Sequence, residues 1–581
     1  MSQNYATRRP SGLTRRAFIG GALATGAALA LAGCGEKQDA STAKDEGLSA
    51  TPESETETPA ANPNMGPVDG GTFNFYINNP VSIDPYNVQE DQGMEVCKCL
   101  FDALTEYDYE NNQLIGKAAT SWEANDDATQ FTFHLREGAT FANGDPVTAS
   151  SFIYAWNRLC SPATDPANPS EVSYHLGMVD GYDEVVADNT GEAKLNLEAP
   201  DDYTFVVNLN MSYADFPYVV SHLATSPVPE SAAADINAFK LAPVGNGAFM
   251  MEGEWVDGQY IQVVRNENYV GNKPHVDGVN FNIYKDVTTA FTEFEAGNLD
   301  YAQIPTGRIQ AVSDQYGVSP DGYTANPGEQ TLLGDETSIY YLTCNNTDEL
   351  MGNVHMRKAF SYAINRQAIC DTVFEGTRVP AANIVTPGIA GYEEGVWEAC
   401  AYDVDKAKEE LEEAKKELNL GDGDISIQLS CNSDGDHEAI MQLIQADLKA
   451  IGVEATIETA EWAAYLTKLQ DLDYQVGRLG WIADYPIMDN FLYPLFYTGN
   501  GDNRSGYSNP DVDKAMNDAR AIVDADKRIA ALQEVNKTIA ADFPVVPLLF
   551  YRHTVVTSNR VNEMYSNPMK LIDLTTCWLS A

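Results

Sequence analysis

Hydrolytic catalysis needs a nucleophile, a base and an oxyanion donor held together. The 581-residue chain has no G-x-S-x-G elbow, no H-E-x-x-H and no G-x-x-x-x-G-K-[ST]. Ser41-Thr42-Ala43-Lys44 fits the S-x-x-K pattern, but it sits in a polar tract where no oxyanion hole could be held, and is read as chance. The seven histidines (His134, His175, His222, His275, His355, His437 and His553) lack metal-ligand spacing and are read as packing or surface residues. With 85 acids in the chain, paired carboxylates carry little information. Nothing in the residues argues for an enzyme, a cofactor or a resident metal. One carboxylate stands out by its place. Asp484 follows the strand-like run Tyr474 to Trp481, and open α/β sheets bind ligands outside the carboxyl ends of their strands. Taken alone, an aspartate there more often serves as a turn or cap residue than as a ligand.

The elements that must position such a residue can be read from periodicity. Ile425 to Cys431 reads as a strand, His437 to Ile451 as a helix stopped by Gly452, and Val453 to Thr459 as a second strand, a parallel βαβ unit. A helix near Ala463 to Gln470 leads into the strand that ends before Asp484. Val354 to Cys370 and Val404 to Leu418 read as amphipathic helices, the second with Ala407, Leu411, Ala414 and Leu418 on one face. The first half is mixed and strand-rich. Gln130 to Arg136 alternates apolar and polar residues, the turn Asn143-Gly144-Asp145-Pro146 follows, and Thr148 is placed to cap a helix running towards Arg158. Further strands are expected at Thr204 to Leu209, Tyr260 to Arg265 and Val279 to Tyr284.

The N-terminus reads as an export signal. Arg8, Arg9, Arg15 and Arg16 precede the apolar run Ala17 to Leu31, which is too short to span a bilayer comfortably. Thr14-Arg15-Arg16-Ala17-Phe18-Ile19 resembles a twin-arginine motif, and Leu31-Ala32-Gly33-Cys34 resembles a bacterial lipobox in which Cys34 is lipidated. Residues 1–33 are therefore expected to be a signal peptide. Residues 34–67 are expected to be an acidic flexible tether with a reach of about 30 to 35 Å. The formal net charge is −49, and removal of residues 1–33 takes away four arginines and no acid, which makes it −53. A body this acidic is repelled by phosphate backbones and anionic lipid, so nucleic acid is excluded as a partner and the membrane is reached only through the lipid. Eight cysteines remain besides Cys34, an even number that permits disulfides in an exported chain, with Cys370 and Cys400 a candidate pair and free buried thiols the alternative.

Four ordered blocks carry a resemblance over residues 70 to 581. They are Ala119-Thr120-Ser121-Trp122 with Phe131 to Arg136 and Phe141 to Ala149; Pro243-Val244-Gly245-Asn246-Gly247-Ala248-Phe249 with Glu254-Trp255; Val354 to Arg366; and Gly480-Trp481-Ile482-Ala483-Asp484-Tyr485. Together they resemble the solute-binding proteins of peptide-importing ABC transporters, in the oligopeptide-binding branch of the peptide/nickel-binding family. The resemblance implies an α/β, periplasmic-binding-protein-like fold with two lobes joined by a hinge and a third lobe inserted. It places lobe I at 68–101, 226–334 and 553–581, lobe II at 102–225 and lobe III at 335–552. It implies a monomer, lipid-anchored on the extracytoplasmic face of the cell membrane, that delivers peptides to permease and ATPase subunits.

In that family an extended peptide is buried between the lobes, its backbone paired as an added strand and its side chains in hydrated pockets. Asp484 matches the position that neutralises the peptide ammonium. Trp481 and Trp462 match aromatic pocket walls, with ordinary core packing the alternative. Arg478 and His437 match positions that meet the carboxylate of short peptides, with a structural ion pair and helix capping as the respective alternatives. Tyr485, Asn246 and Gly247 are carried over as further ligand-binding residues. Leu469 stands where the family has another arginine, Thr347 or Asp348 where it has a lysine, and Glu171 where it has a tyrosine, which leaves peptide length and C-terminal recognition open. The same fold could hold a nickel chelate, haem or a sugar, although scattered histidines weaken nickel; a surface peptidase or a structural lipoprotein fits less well.

Overall fold

The computed structural model describes residues 66–88, 90–421, 425–433 and 437–580. The export signal, the lipobox cysteine Cys34, the S-x-x-K match and the tether up to residue 65 lie outside the described residues.

Three sheets organise the chain. A seven-stranded sheet runs in the order Thr331–Leu332, Val555–Thr557, Tyr301–Gln303, Thr72–Ile77, Gly278–Ile283, Tyr260–Arg265, Phe249–Met251, so its strands come from three separate stretches of sequence. Thr72–Ile77 pairs in parallel with Gly278–Ile283 along its whole length. A four-stranded antiparallel sheet is built from Ala119–Ala124, Gln130–Leu135, Thr204–Asn208 and Leu197–Asp201. The six-stranded sheet has the order Val379–Pro380, Val545–Arg552, Asp335–Cys344, Val476–Ile482, Ile425–Asn432, Val453–Ala460.

The expected βαβ unit is present. Ile425–Asn432 and Val453–Ala460 pair in parallel over eight residues, joined by the helix His437–Ala450. Val476–Ile482 lies on the other side of Ile425–Asn432, parallel to it, and antiparallel to Asp335–Cys344. The carboxyl ends of all three parallel strands therefore share one edge, and the chain steps off that edge at Ala483, whose N–H donates to Thr337 O (3.0 Å). The helix Ala149–Cys160 starts where Thr148 predicts, with the Thr148 N–H bonded to Ser151 Oγ (3.2 Å). It buries Phe152 and Trp156 against Phe205.

One predicted helix is two. Val354–Ala363 ends at Ile364, whose backbone is extended, and Asn365 caps a second helix, Arg366–Val373, by accepting from Ala368 N–H (3.0 Å). The buried Arg366 guanidinium holds the break by donating to Ser361 O (3.0 Å), Ser361 Oγ (2.7 Å) and Pro547 O (2.8 Å). Arg357 likewise spends its donors on the carbonyls of Met351, Asp542 and Phe543. The apolar period runs through both helices, so it hides the break; the asparagine cap was the signal for it.

Two large cores result. One lies under the seven- and four-stranded sheets and includes Phe73, Phe133, Trp156, Phe205 and Phe281. The other belongs to the six-stranded sheet and includes Ile339, Phe360, Trp397, Leu429 and Phe496. Tyr485, next to the strand exit, packs into the first core rather than the second.

The eight described cysteines are all free and buried, so Cys370 and Cys400 do not pair; the Cys400 thiol points at Pro547 O instead. Burial pushes the Cys97 and Cys99 thiols well above their ordinary value and Cys370 up to about 11. Thiolate is the reactive species, so these eight thiols should stay unmodified by an aqueous disulfide reagent in the native protein and become titratable in denaturant. Rapid native labelling of several of them would contradict the packing.

Glu95 is buried and accepts from Ile572 N–H (3.2 and 3.3 Å). Burial, only partly opposed by that bond, pushes its carboxyl up to about 8. Because the folded value lies above the unfolded one, its contribution to stability is complete below about pH 4.5 and is lost as pH rises through 8. Melting temperatures of the native protein and Glu95→Gln should therefore diverge between about pH 5 and 8 in favour of the glutamine and run parallel above that; curves parallel across the whole window would rule this out.

Candidate functional site

A cleft of about 490 Å³ opens where the carboxyl edge of the six-stranded sheet faces the rest of the chain. Its walls carry Trp462, Trp481, Tyr341 and Leu571, and its charged lining is unbalanced: Glu90, Asp91, Glu171, Asp484 and Asp502 against Arg504. Such a wall favours a cation over an anion at this end.

Asp484 is held by a residue with no sequence signal. Asn490, buried in the helix Asp489–Phe496, accepts from Asp484 N–H and donates through Nδ2 to Asp484 Oδ2, both at 2.9 Å. The same Asn490 Oδ1 accepts from Trp481 Nε1 (3.3 Å), so one amide orients both the carboxylate and the indole. Burial raises the Asp484 carboxyl above its ordinary value, against smaller opposing effects from His222 and Asn490. Among the described residues no lysine or arginine pairs with it. Asp502 is pushed up to about 6 by burial, with Arg504 opposing at 3.8 Å.

Two histidines far apart in the sequence meet here. His175 (3% exposed) and His222 (7%) lie with ring centroids 4.1 Å apart. One ring nitrogen of each and a carboxylate oxygen of Asp484 all fall within 4.8 Å of one another. Burial pushes both imidazoles down to about 3, so they are neutral at ordinary pH. His222 Nδ1 accepts from Ala224 N–H at 3.3 Å, capping the short helical turn after it. Both are buried, as packing histidines are, but the fold sets them beside each other and beside Asp484. Neither is near the other in sequence, and no spacing rule could have joined them.

The remaining expected site residues divide. Trp462 (42% exposed) and Trp481 line the cleft. Arg478 lies farther along the same strand, its guanidinium 5.1 Å from the Tyr340 ring and 5.9 Å from Trp462, with Nη1 donating to Asn432 Oδ1 (3.3 Å). Its Nε has no partner and it forms no ion pair among the described residues. His437 Nδ1 and Tyr340 OH are 3.2 Å apart, so Arg478 and His437 converge on one tyrosine. Tyr485 is core rather than lining. Asn246 and Gly247 are elsewhere: Asn246 brackets Asp102 with bonds to its N–H (2.9 Å) and O (3.0 Å), and Gly247 N–H donates to Leu100 O (2.8 Å). A Cβ at Gly247 would meet the Leu100 carbonyl carbon at 2.6 Å, so that glycine is required by close backbone approach. Leu469 is fully buried beside Tyr465 and Tyr474, with no access to the cleft.

Two buried ion pairs link segments far apart in sequence. Asp215 pairs with Arg528 (2.5 and 2.7 Å), and Tyr213 OH donates to Asp489 Oδ2 (2.9 Å), which also pairs with Arg520 (2.7 Å). All five side chains are buried.

Residues 113–503 match the family profile described as bacterial extracellular solute-binding proteins, family 5 middle. The chain is 30% identical over 500 residues to the oligopeptide-binding protein OppA of Bacillus subtilis, covering 84% of this chain and 88% of that one. It is 30% identical over 498 residues to the periplasmic oligopeptide-binding protein OppA of Haemophilus influenzae, covering 82% and 87%. The crystal structure of Haemophilus influenzae OppA in complex with RPPGFSPFR superposes with a TM-score of 0.72 at 25% identity, over 87% of this chain and 99% of that one.

Proposed function

Because the chain belongs to the family 5 bacterial extracellular solute-binding proteins, which bind solutes and are not enzymes, we propose that it captures extended peptides by their free N-terminal ammonium and delivers them to a membrane permease. The observation that carries this reading is Asp484: a carboxylate clamped by Asn490 at the carboxyl edge of the sheet, on an acid-rich wall, without a basic partner among the described residues. An ammonium supplies the counter-charge that a desolvated carboxylate requires. Trp462 and Trp481 offer apolar walls to the first side chains, and Arg478 with His437 receives the carboxylate of a short peptide.

Lobe I (68–101, 226–334, 553–581) and lobe II (102–225) close on lobe III (335–552) by a hinge where the chain crosses near residues 334 and 552. Strand membership supports the division, since each of the three sheets draws on one of these sets of segments. The protein acts as a monomer tethered through lipidated Cys34 outside the membrane, with permease and ATPase subunits as partners.

Calorimetry with a peptide and its N-acetylated counterpart tests the reading. The free amine is expected to bind more tightly by about tenfold or more, and equal affinities would overturn it. Native mass spectrometry of the protein as purified, with identification of what dissociates, supplies the peptides to use.

A further inference from the structure

The paired histidines have no place in the peptide reading. His175 makes no side-chain hydrogen bond among the described residues, and its ring stands beside His222 and Asp484, both of which line the cleft. Two imidazole nitrogens and one carboxylate oxygen form a donor set suited to a first-row divalent cation, with nitrogen ligands favouring zinc, nickel or copper over magnesium or calcium. We propose that His175, His222 and Asp484 form a binding site for a divalent transition-metal ion at the head of the cleft.

The geometry supports it in three respects. The donor atoms lie within 4.8 Å of one another, and bonds of about 2.0 to 2.2 Å to a common ion bring them together through side-chain rotation of little more than 1 Å. Asn490 holds the carboxylate from behind, the kind of outer contact that orients metal ligands. Asp484 and His222 both line the cleft, so an ion can reach the donor set from the ligand space, where it and a peptide ammonium compete for the Asp484 carboxylate. Burial already keeps both imidazoles neutral, the protonation state that ligates. Metal binding through Nε2 of His222 puts a proton on Nδ1 and gives up the Ala224 contact, a single long bond of 3.3 Å set against three bonds to the ion.

This goes beyond the peptide reading and is tested without any peptide. The full chain, purified without a histidine tag and stripped with a chelator, is titrated with zinc chloride by calorimetry, and with cobalt chloride while its visible d–d absorption is followed. One saturable site per chain is expected. His175→Gln and Asp484→Asn should each weaken it by at least the roughly 10- to 100-fold that follows loss of even an outer-shell partner. His355→Gln serves as control, because His355 with Glu410 and Glu417 forms a surface cluster able to take up metal adventitiously; it should leave the site unchanged. Melting curves without metal establish that each variant folds. Should His175→Gln not fold, Asp484→Asn and the zinc-induced rise in melting temperature of the native chain decide. No stoichiometric site, a site indifferent to both ligand variants, or a site lost in His355→Gln overturns the inference. A cleft that binds free-amine peptides but no zinc leaves the peptide reading intact and removes only this one.

Discussion

Asp215→Ala is expected to open the protein. Asp215 comes from the segment 102–225 and Arg528 from 335–552, and their paired bonds of 2.5 and 2.7 Å are buried. Removing one partner of a buried pair strands the other charge, at a cost of about 3 to 5 kcal/mol. In an opened form Arg528 regains water, so the cost falls on the closed state and moves the equilibrium away from it. Ligand affinity should drop by two to three orders of magnitude in calorimetry, and the ligand-free variant should scatter as a more extended particle than the native protein. The double variant Asp215→Ala with Arg528→Met should recover much of the loss, because neither charge is then left buried. Superimposable scattering profiles together with unchanged affinity would show that this contact does not govern closure.

Asp484→Asn is expected to have the second largest effect, and it isolates the site from the fold. An asparagine keeps an oxygen for Asn490 Nδ2 and a backbone N–H for Asn490 Oδ1, so the clamp survives. What is lost is a charge-assisted bond to the ligand ammonium, worth about 1.5 to 3 kcal/mol, or roughly 10- to 150-fold in affinity. N-acetylated peptides should be indifferent to the change. The same carboxylate sets a pH dependence. Burial raises Asp484 above its ordinary value and pushes Asp502 up to about 6, so Asp502 gains a proton as pH falls through 6 and Asp484 does so earlier than an exposed aspartate would. Only the ionised forms attract an ammonium, so affinity for free-amine peptides should fall below about pH 6, and less steeply in Asp484→Asn. A flat native profile from pH 7 to 5 would count against an ammonium at this wall.

Much of residues 335–552 was legible because the signals there are local. Apolar positions in Val404–Glu417 repeat at helical spacing and bury Ala407, Leu411 and Ala414 as read. Ile425–Asn432, His437–Ala450 and Val453–Ala460 were bounded by turn residues that the chain itself supplies. The break at Ile364 was missed because one apolar stripe serves both helices, and its cause is tertiary: Arg366 reaches Pro547, far away in sequence. The resemblance carried Asp484, Trp481 and Trp462 to the cleft. It also brought Asn246 and Gly247, which instead brace the backbone at Leu100 and Asp102.

The sequence by itself determined the acidic body, the periodic elements, the family blocks and the strand after which Asp484 leaves its sheet. Each depends on neighbours within a few turns or residues, where spacing records which side chains share a face. The tertiary structure alone decided which distant groups meet: Asn490 under Asp484, His437 beside Tyr340, Asp215 against Arg528, and His175 with His222 at the head of the cleft. Those contacts are made when separate sheets and loops dock, and one-dimensional spacing holds no record of docking. The sequence singled out Asp484 by its place after a strand; burial and a fixed partner are what the tertiary structure added to it.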